Sequence, residues 1–368
     1  MFIHLLCFGL FSAPFEIYYS LILYKMQIYY FKIFFITLLL SAALTWVVMK
    51  LAARFGITDK PDSERKIHAR PVPLLGGLAI FAAFFVMLYF VRADLLVGNL
   101  EPRHWLAFFY GAVWLMLGGA FDDKYKLPPR EQILWPVLAI STVVFGGVEI
   151  EKITNPLGGF IYLGAFSAAL IALWLLGMMY TTKLLDGLDG LVSGMTAIGA
   201  LVIFLFTQTS KYYQPDVGLA ALVLAAAALG FLIFNWHPAK IFLGEGGSLF
   251  LGFALGVLAI ISGGKIAIAL LVMGIPILDV AWTIVRRMAA GKNPFKFADR
   301  KHLHFRLLDL GLSVRKSVIF YYLFAAAFGL AALFLQSKGK LLALALILAV
   351  MALIILFFAY LDRKGKAV

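Results

Sequence analysis

Two adjacent carboxylates, Asp122 and Asp123, follow an apolar run that closes with Gly118-Gly119. Acids at the end of a helix otherwise built for hydrocarbon are costly unless they meet a cation. Oxygen ligands in that setting suit Mg2+, which takes one or two protein carboxylates and completes its shell with water and substrate phosphates. The competing reading is a solvated loop in which Asp122 caps the next element. A second acidic group is Asp186-Gly187-Leu188-Asp189-Gly190, preceded by Lys183. Its three-residue spacing sets both acids on one face if the turn is helical, and the glycines let backbone approach a ligand. A helix break with an N-cap aspartate is the plainer alternative.

Gly244-Glu245-Gly246-Gly247-Ser248 forms a third motif. A glycine-rich entry into a helix offers free N–H groups and a positive dipole end, which favour phosphate. Glu245 would repel that phosphate unless a metal or a lysine stands between them. Close helix packing through small residues is the competing explanation.

Cations surround these acids. Arg65-Lys66-Ile67-His68 leads through Pro71 and Pro73 into Gly76-Gly77, a pattern for holding phosphate beside a helix start or for lying on anionic lipid. A longer basic stretch holds Asp279, Arg286-Arg287, Pro294 and then Asp299-Arg300-Lys301-His302-Leu303-His304-Phe305-Arg306. Arginine forks and histidines there suit a sugar diphosphate. Zinc is disfavoured, because cations crowd His302 and His304 and no third ligand follows.

The elements that must position these groups are membrane helices. Of 368 residues, 63% are hydrophobic and 14% charged, with a mean hydropathy of +0.96. A soluble domain could not hide that much apolar surface. Long apolar runs mean helices, since each unpaired backbone group in the bilayer costs several kcal/mol. The expected fold is all-α and polytopic, with about eleven spans at roughly 29–51, 73–92, 104–120, 133–147, 160–180, 190–208, 217–235, 247–262, 265–285, 317–336 and 340–361. Residues 1–28 are an apolar extension, read as an extra helix, an interfacial helix or translation from an upstream start with Met26 as the functional one. Residues 29–368 form one polytopic domain.

The net charge of +13 has a topological cause. Alternate loops hold 22 of the 32 Lys and Arg, against seven on the opposite side. The positive-inside rule then puts the first set in the cytoplasm, the N-terminus outside and the C-terminus inside. Nucleic acid is not the expected partner. Thirteen of the 19 acids share the cytoplasmic side, so a catalytic site would face the cytoplasm. The single cysteine, Cys7, excludes a disulfide framework. A secondary transporter would need midplane acids and related halves, and neither appears. A CDP-alcohol phosphatidyltransferase is disfavoured because Leu191-Val192 follows Asp189-Gly190.

Taken in order, these motifs resemble the polyprenyl-phosphate N-acetylhexosamine-1-phosphate transferases, glycosyltransferase family 4, from about Thr58 to Ser313. The matching residues are Lys66, His68, Pro73, Gly76-Gly77, Asp122-Asp123, Asp186-Gly187-Leu188-Asp189-Gly190, Asn235 and Pro238. Ala298-Asp299-Arg300-Lys301-His302-Leu303-His304 looks more like the undecaprenyl-phosphate GlcNAc-1-phosphate transferase branch than the phospho-N-acetylmuramoyl-pentapeptide transferases. The resemblance implies transfer of HexNAc-1-phosphate from a UDP-sugar to polyprenyl phosphate at the inner membrane. UMP is released and a lipid-linked glycan begun, by a homodimer or a monomer. It assigns catalysis to Asp122, Asp123, Asp186 and Asp189, and substrate binding to Lys66, His68, Lys183, Asn235, Arg300, His302, His304 and Arg306. Mg2+, with Mn2+ as substitute, is expected on Glu245 and Asp189.

Three departures stand out. The family carries Asn at the position of Lys183 and Asp at that of Glu245, both beside its metal, and a last His where this chain has Phe305. A pentapeptide-transferase-type activity or a non-catalytic relative are the alternatives. Lys183 is expected to pair with Glu245 or to reach the diphosphate. An ion pair at about 4 Å is worth roughly 4 kcal/mol at an effective dielectric of 20, enough to reorganise a site.

Overall fold

The computed structural model describes residues 2–61, 70–98, 100–155, 158–209, 212–262, 266–291 and 301–364, with side chains from Tyr24 onward except that of Arg363. Lys66, His68 and Arg300 lie outside the described residues.

The apolar runs fold as helices, whose backbone groups are satisfied within each segment. The order is α1 (Phe2–Arg54), β1 (Thr58–Asp59), β2 (Val72–Pro73), α2 (Gly76–Phe90), α3 (Arg92–Leu95), α4 (Pro102–Tyr125), α5 (Pro129–Gln132) and α6 (Leu134–Phe145). It continues with β3 (Lys152–Thr154), β4 (Phe160–Tyr162), α7 (Phe166–Leu185), α8 (Leu191–Thr207), α9 (Pro215–Asn235), α10 (Gly244–Ile261) and α11 (Ile266–Val272). Last come α12 (Gly274–Ala289), α13 (Leu303–Asp309), α14 (Val314–Phe334) and α15 (Ser337–Arg363). The strands make two small antiparallel pairs, β1 with β2 and β3 with β4.

Each of the eleven expected stretches contains a helix. By length and composition, however, seven described helices can cross a membrane, or eight if α11 and α12 count as one span bent by 79°. The difference is helix length. At 1.5 Å per residue, the 15 residues of α2 reach only about 22 Å. The chain is a multi-pass membrane protein.

Helices α9 and α10 form the centre, with 78% and 89% of their apolar windows buried. Helices α1 and α15 bury 22% each and present the rest outward, as lipid-facing helices must. Around α10 the backbones approach closely. A Cβ added to Gly77 or Gly119 would collide with the backbone of Gly247 or Gly246 respectively, so no larger residue fits either crossing. Phe84 and Phe108 pack edge-on beside these crossings, and Phe108 does the same with Phe253 of α10.

Among the described residues, the acid-bearing ends of α4 and α7 and the start of α10 gather at one end of this bundle. Gly76 and Gly77 donate their N–H groups to the carbonyls of Phe242 and Leu243, and Phe242 N–H donates back to Pro73. That clasp ties the start of α2 to the approach to α10. Leu75 takes a positive φ of 71° there.

Candidate active site

Helix α4 ends in Asp122 and Asp123, and the two carboxylates have different work. Asp122 Oδ1 accepts from Leu127 N–H and from Gln132 Nε2, each at 2.9 Å. It therefore closes the turn between α4 and α5, the capping role anticipated as the alternative. Asp123 Oδ1 accepts from Glu245 N–H at 3.1 Å, at the first turn of α10. The N-terminal dipole of α10 is thus met by a protein carboxylate, the position expected for phosphate. The other oxygen, Asp123 Oδ2, is buried without a hydrogen bond among the described residues.

Lys183 and Glu245 face each other, with Nζ 2.5 Å from Oε1 and side chains 21% and 15% exposed. The expected pair forms. Its second anchor was not legible: Lys183 Nζ donates to Gln132 Oε1 at 2.9 Å. Gln132 Nε2 donates to Asp122 Oδ1 and to Leu127 O. A continuous chain runs from Asp122 through Gln132 and Lys183 to Glu245. No sequence pattern marks Gln132, a single amide in a charged loop.

The Asp186–Gly190 segment is a turn, which corrects the helical-face reading of its spacing. Helix α7 stops at Leu185, α8 starts at Leu191, and Gly190 takes φ +79°. Asp189 Oδ2 binds His237 Nδ1 at 2.7 Å and accepts Ala239 N–H at 3.0 Å. Asn235 is committed inward: its Oδ1 accepts from Gly190 N–H and Ser193 Oγ, and its Nδ2 donates to Ile241 O. It braces the turn against the approach to α10 instead of facing a substrate. Tyr322 donates its hydroxyl to Gly190 O, and Arg315 Nε donates to His237 O.

Asp186 lies open to solvent by surface area yet is set deep among surrounding protein, as a carboxylate lining a cleft would be. That burial, with the nearby charges of Glu245, Asp123 and Asp189, raises it from 3.8 to about 8. The electrostatics therefore join four carboxylates from α4, the α7–α8 turn and α10.

His304 closes the cluster from the far side. It is fully buried, and a Cβ on Gly187 would sit 2.5 Å from its Nε2. Neither ring nitrogen has a hydrogen-bond partner among the described residues. Burial drives the imidazole down to about 3, with Asp279 opposing and His302 assisting. His304 is accordingly neutral near pH 7, a hydrogen-bonding group. His302 is held by Asp279 of α12, whose Oδ2 lies 2.9 Å from Nδ1 while Oδ1 accepts Leu303 N–H. Arg306 pairs with Asp362 at 3.0 Å and covers the Phe358 ring.

A resident divalent ion on Glu245 and Asp189 does not fit this arrangement. Glu245 already holds an ammonium, and Asp189 already holds His237 and Ala239. Among the described residues no three His, Cys, Asp or Glu side chains converge to hold an ion. The unpartnered acceptor is on Asp123, which was expected to be catalytic and not a ligand.

Residues 105–263 match the model of glycosyl transferase family 4. The chain is 34% identical over 311 residues to a probable undecaprenyl-phosphate N-acetylglucosaminyl 1-phosphate transferase of Bacillus subtilis, covering 83% of this chain and 84% of that protein. It is 33% identical to a decaprenyl-phosphate N-acetylglucosaminephosphotransferase of Mycolicibacterium smegmatis, covering 87% and 85%. An undecaprenyl-phosphate alpha-N-acetylglucosaminyl 1-phosphate transferase of Thermotoga maritima is 30% identical, covering 72% and 78%.

Proposed function

The chain belongs to glycosyl transferase family 4, and from that premise we propose how it transfers N-acetylglucosamine 1-phosphate to polyprenyl phosphate in the membrane. The donor in this reading is a UDP-sugar. An oxygen of the lipid phosphate attacks the phosphorus that carries the sugar. The bond from that phosphorus to the bridging oxygen breaks, and its electron pair leaves with UMP. The product is a polyprenyl diphosphate sugar. No proton has to move, since a phosphate monoester near pH 7 is already largely ionised.

Such a step asks mainly for positioning and charge neutralisation. The observation that supports this reading most is the meeting of Lys183, Glu245, Asp123, Asp186 and His304 at one end of the bundle. Lys183 meets the diphosphate. Asp123 fixes the first turn of α10, and Asp122 orders the α4–α5 turn beside it. Asp186, protonated at neutral pH in the free protein, donates a hydrogen bond to a phosphate oxygen. Asp189 and His237 hold the turn that carries it. His304 donates to the sugar or its phosphate. Lys66, His68 and Arg300, which the sequence motifs mark, would take phosphate.

Mg2+ enters this reading as part of the substrate, on the nucleotide diphosphate, where it neutralises phosphate charge. The loops bearing the site face the cytoplasm of the inner membrane, and the N-terminus lies outside.

Asp122→Asn and Glu245→Ala test the assignment in purified protein with UDP-GlcNAc, undecaprenyl phosphate and Mg2+. Each is expected to abolish UMP release. Wild-type turnover in both variants rejects the site.

A further inference from the structure

We propose that Lys183 is the resident cation of this site, its ammonium meeting the substrate diphosphate where a protein-bound divalent ion would otherwise stand. The inference rests on the transferase reading above and names the group that neutralises the diphosphate.

The ammonium is fixed in place. Its side chain and that of Glu245 are only 21% and 15% exposed, and a cation taken that far from water has to be paired. Glu245 supplies the charge and Gln132 the direction. The orientation of Gln132 follows from its neighbours: lysine can only donate and an ionised Asp122 can only accept. Oε1 must therefore face Lys183 and Nε2 must face Asp122, as the structure has them. The second donor on Nε2 is spent on Leu127 O, so the amide cannot turn without losing partners. Gln132 is the positioning residue for Lys183.

An ammonium carries three donors. Gln132 and Glu245 take two of them among the described residues and the Tyr180 ring lies 5.6 Å from Nζ, too far for a hydrogen bond, so a substrate oxygen can take the third. Asp123, whose Oδ1 accepts from Glu245 N–H and whose Oδ2 is buried without a hydrogen bond among the described residues, lies beside the same pair, so Lys183 stands among more acids than the one it pairs with. A divalent ion seated at Glu245 would face this ammonium at contact distance. Coulomb repulsion over so short a path excludes both from one site.

The test is Mn2+ binding to purified, full-length, nucleotide-free protein, followed by electron paramagnetic resonance, for wild type and Lys183→Asn. Wild type is expected to leave the free Mn2+ signal unchanged. Lys183→Asn is expected to bind Mn2+ at least about tenfold more tightly, because a repulsive charge is gone and its acids are released. Lys183→Gln carries the same test if the asparagine variant is not monodisperse. Tight Mn2+ binding by the wild type without nucleotide overturns the proposal, as does a failure of both variants to gain affinity. Gln132→Leu is expected to raise KM for the UDP-sugar about tenfold with kcat nearly unchanged, the signature of lost substrate binding; a loss confined to kcat overturns its positioning role. The spectrum needs no turnover. If wild type releases no UMP from any UDP-sugar, the transferase reading fails while the cation assignment is still decided.

Discussion

Gly119→Ala perturbs the point on which the site's geometry turns. A Cβ at this position would lie 2.0 Å from Gly246 N and 2.1 Å from Gly246 Cα, where ordinary contact begins near 3.4 Å. Both atoms are backbone, so neither can swing aside, and α4 and α10 must part by about 1.4 Å. Exchanging glycine for alanine inside a helix gains about 1 kcal/mol of propensity. Overpacking of this kind costs about 1–3 kcal/mol, so the net change is destabilising. The functional loss is larger, because the displaced helices carry Asp123 and Glu245, joined by a 3.1 Å hydrogen bond. A misplacement near 1 Å at reacting groups costs about a hundredfold in rate. The assay is UMP release in detergent, with thermal unfolding of the same preparations. Gly177→Ala is the control: a Cβ there meets nothing within 4 Å, so turnover should match wild type. Wild-type turnover in Gly119→Ala would refute the claim that this crossing sets the site.

Asn235→Leu leaves Gly190 N–H and the Ile241 carbonyl without their partner, at about 1–3 kcal/mol for each buried orphan, while Ser193 Oγ keeps Gly190 O; a clear fall in Tm is expected, and an unchanged Tm contradicts the bracing role. Asp186 gives a pH dependence of stated sign. Its folded value of about 8 lies above its ordinary 3.8, so between those values the native state holds a proton that the unfolded chain has lost, and stability falls as pH rises through that window. Tm should decline from pH 5.5 to 8.5 in wild type and less steeply in Asp186→Asn; parallel curves dismiss the shift. Orientation is checked in a Cys7→Ser background. A membrane-impermeant thiol reagent applied outside intact spheroplasts should label Lys152→Cys and spare Lys126→Cys, and the reverse pattern inverts the topology.

What could be read from the sequence depended on whether a feature has a pattern. Apolar runs have one, and each became a helix. Their ends do not, so the 15-residue α2 and the 79° bend between α11 and α12 separated the helix count from the span count. Lys183 and Glu245 were legible as a pair because their two departures are complementary in charge. Gln132 and His237 were not, since a single polar residue in a loop carries no period and its partner lies 51 or 48 residues away. Asn235 shows a further limit: residue type says that an amide will hydrogen-bond, and only packing says that it bonds inward. The glycine-rich entry to α10 reads from sequence as a phosphate site or as close helix packing, and the fold uses it, with Gly77 of α2 and Gly119 of α4, to bring helix backbones together. That close approach is what carries Asp123 to the first turn of α10.

The central claim is that this membrane protein moves a sugar phosphate and not a sugar. The most direct measurement incubates purified protein with UDP-GlcNAc and polyprenyl phosphate and identifies both products by mass spectrometry. The account predicts UMP and polyprenyl diphosphate N-acetylglucosamine in equal amounts, with neither formed when the lipid phosphate is omitted. Release of UDP, with the sugar attached through a single phosphate on the lipid, would contradict it.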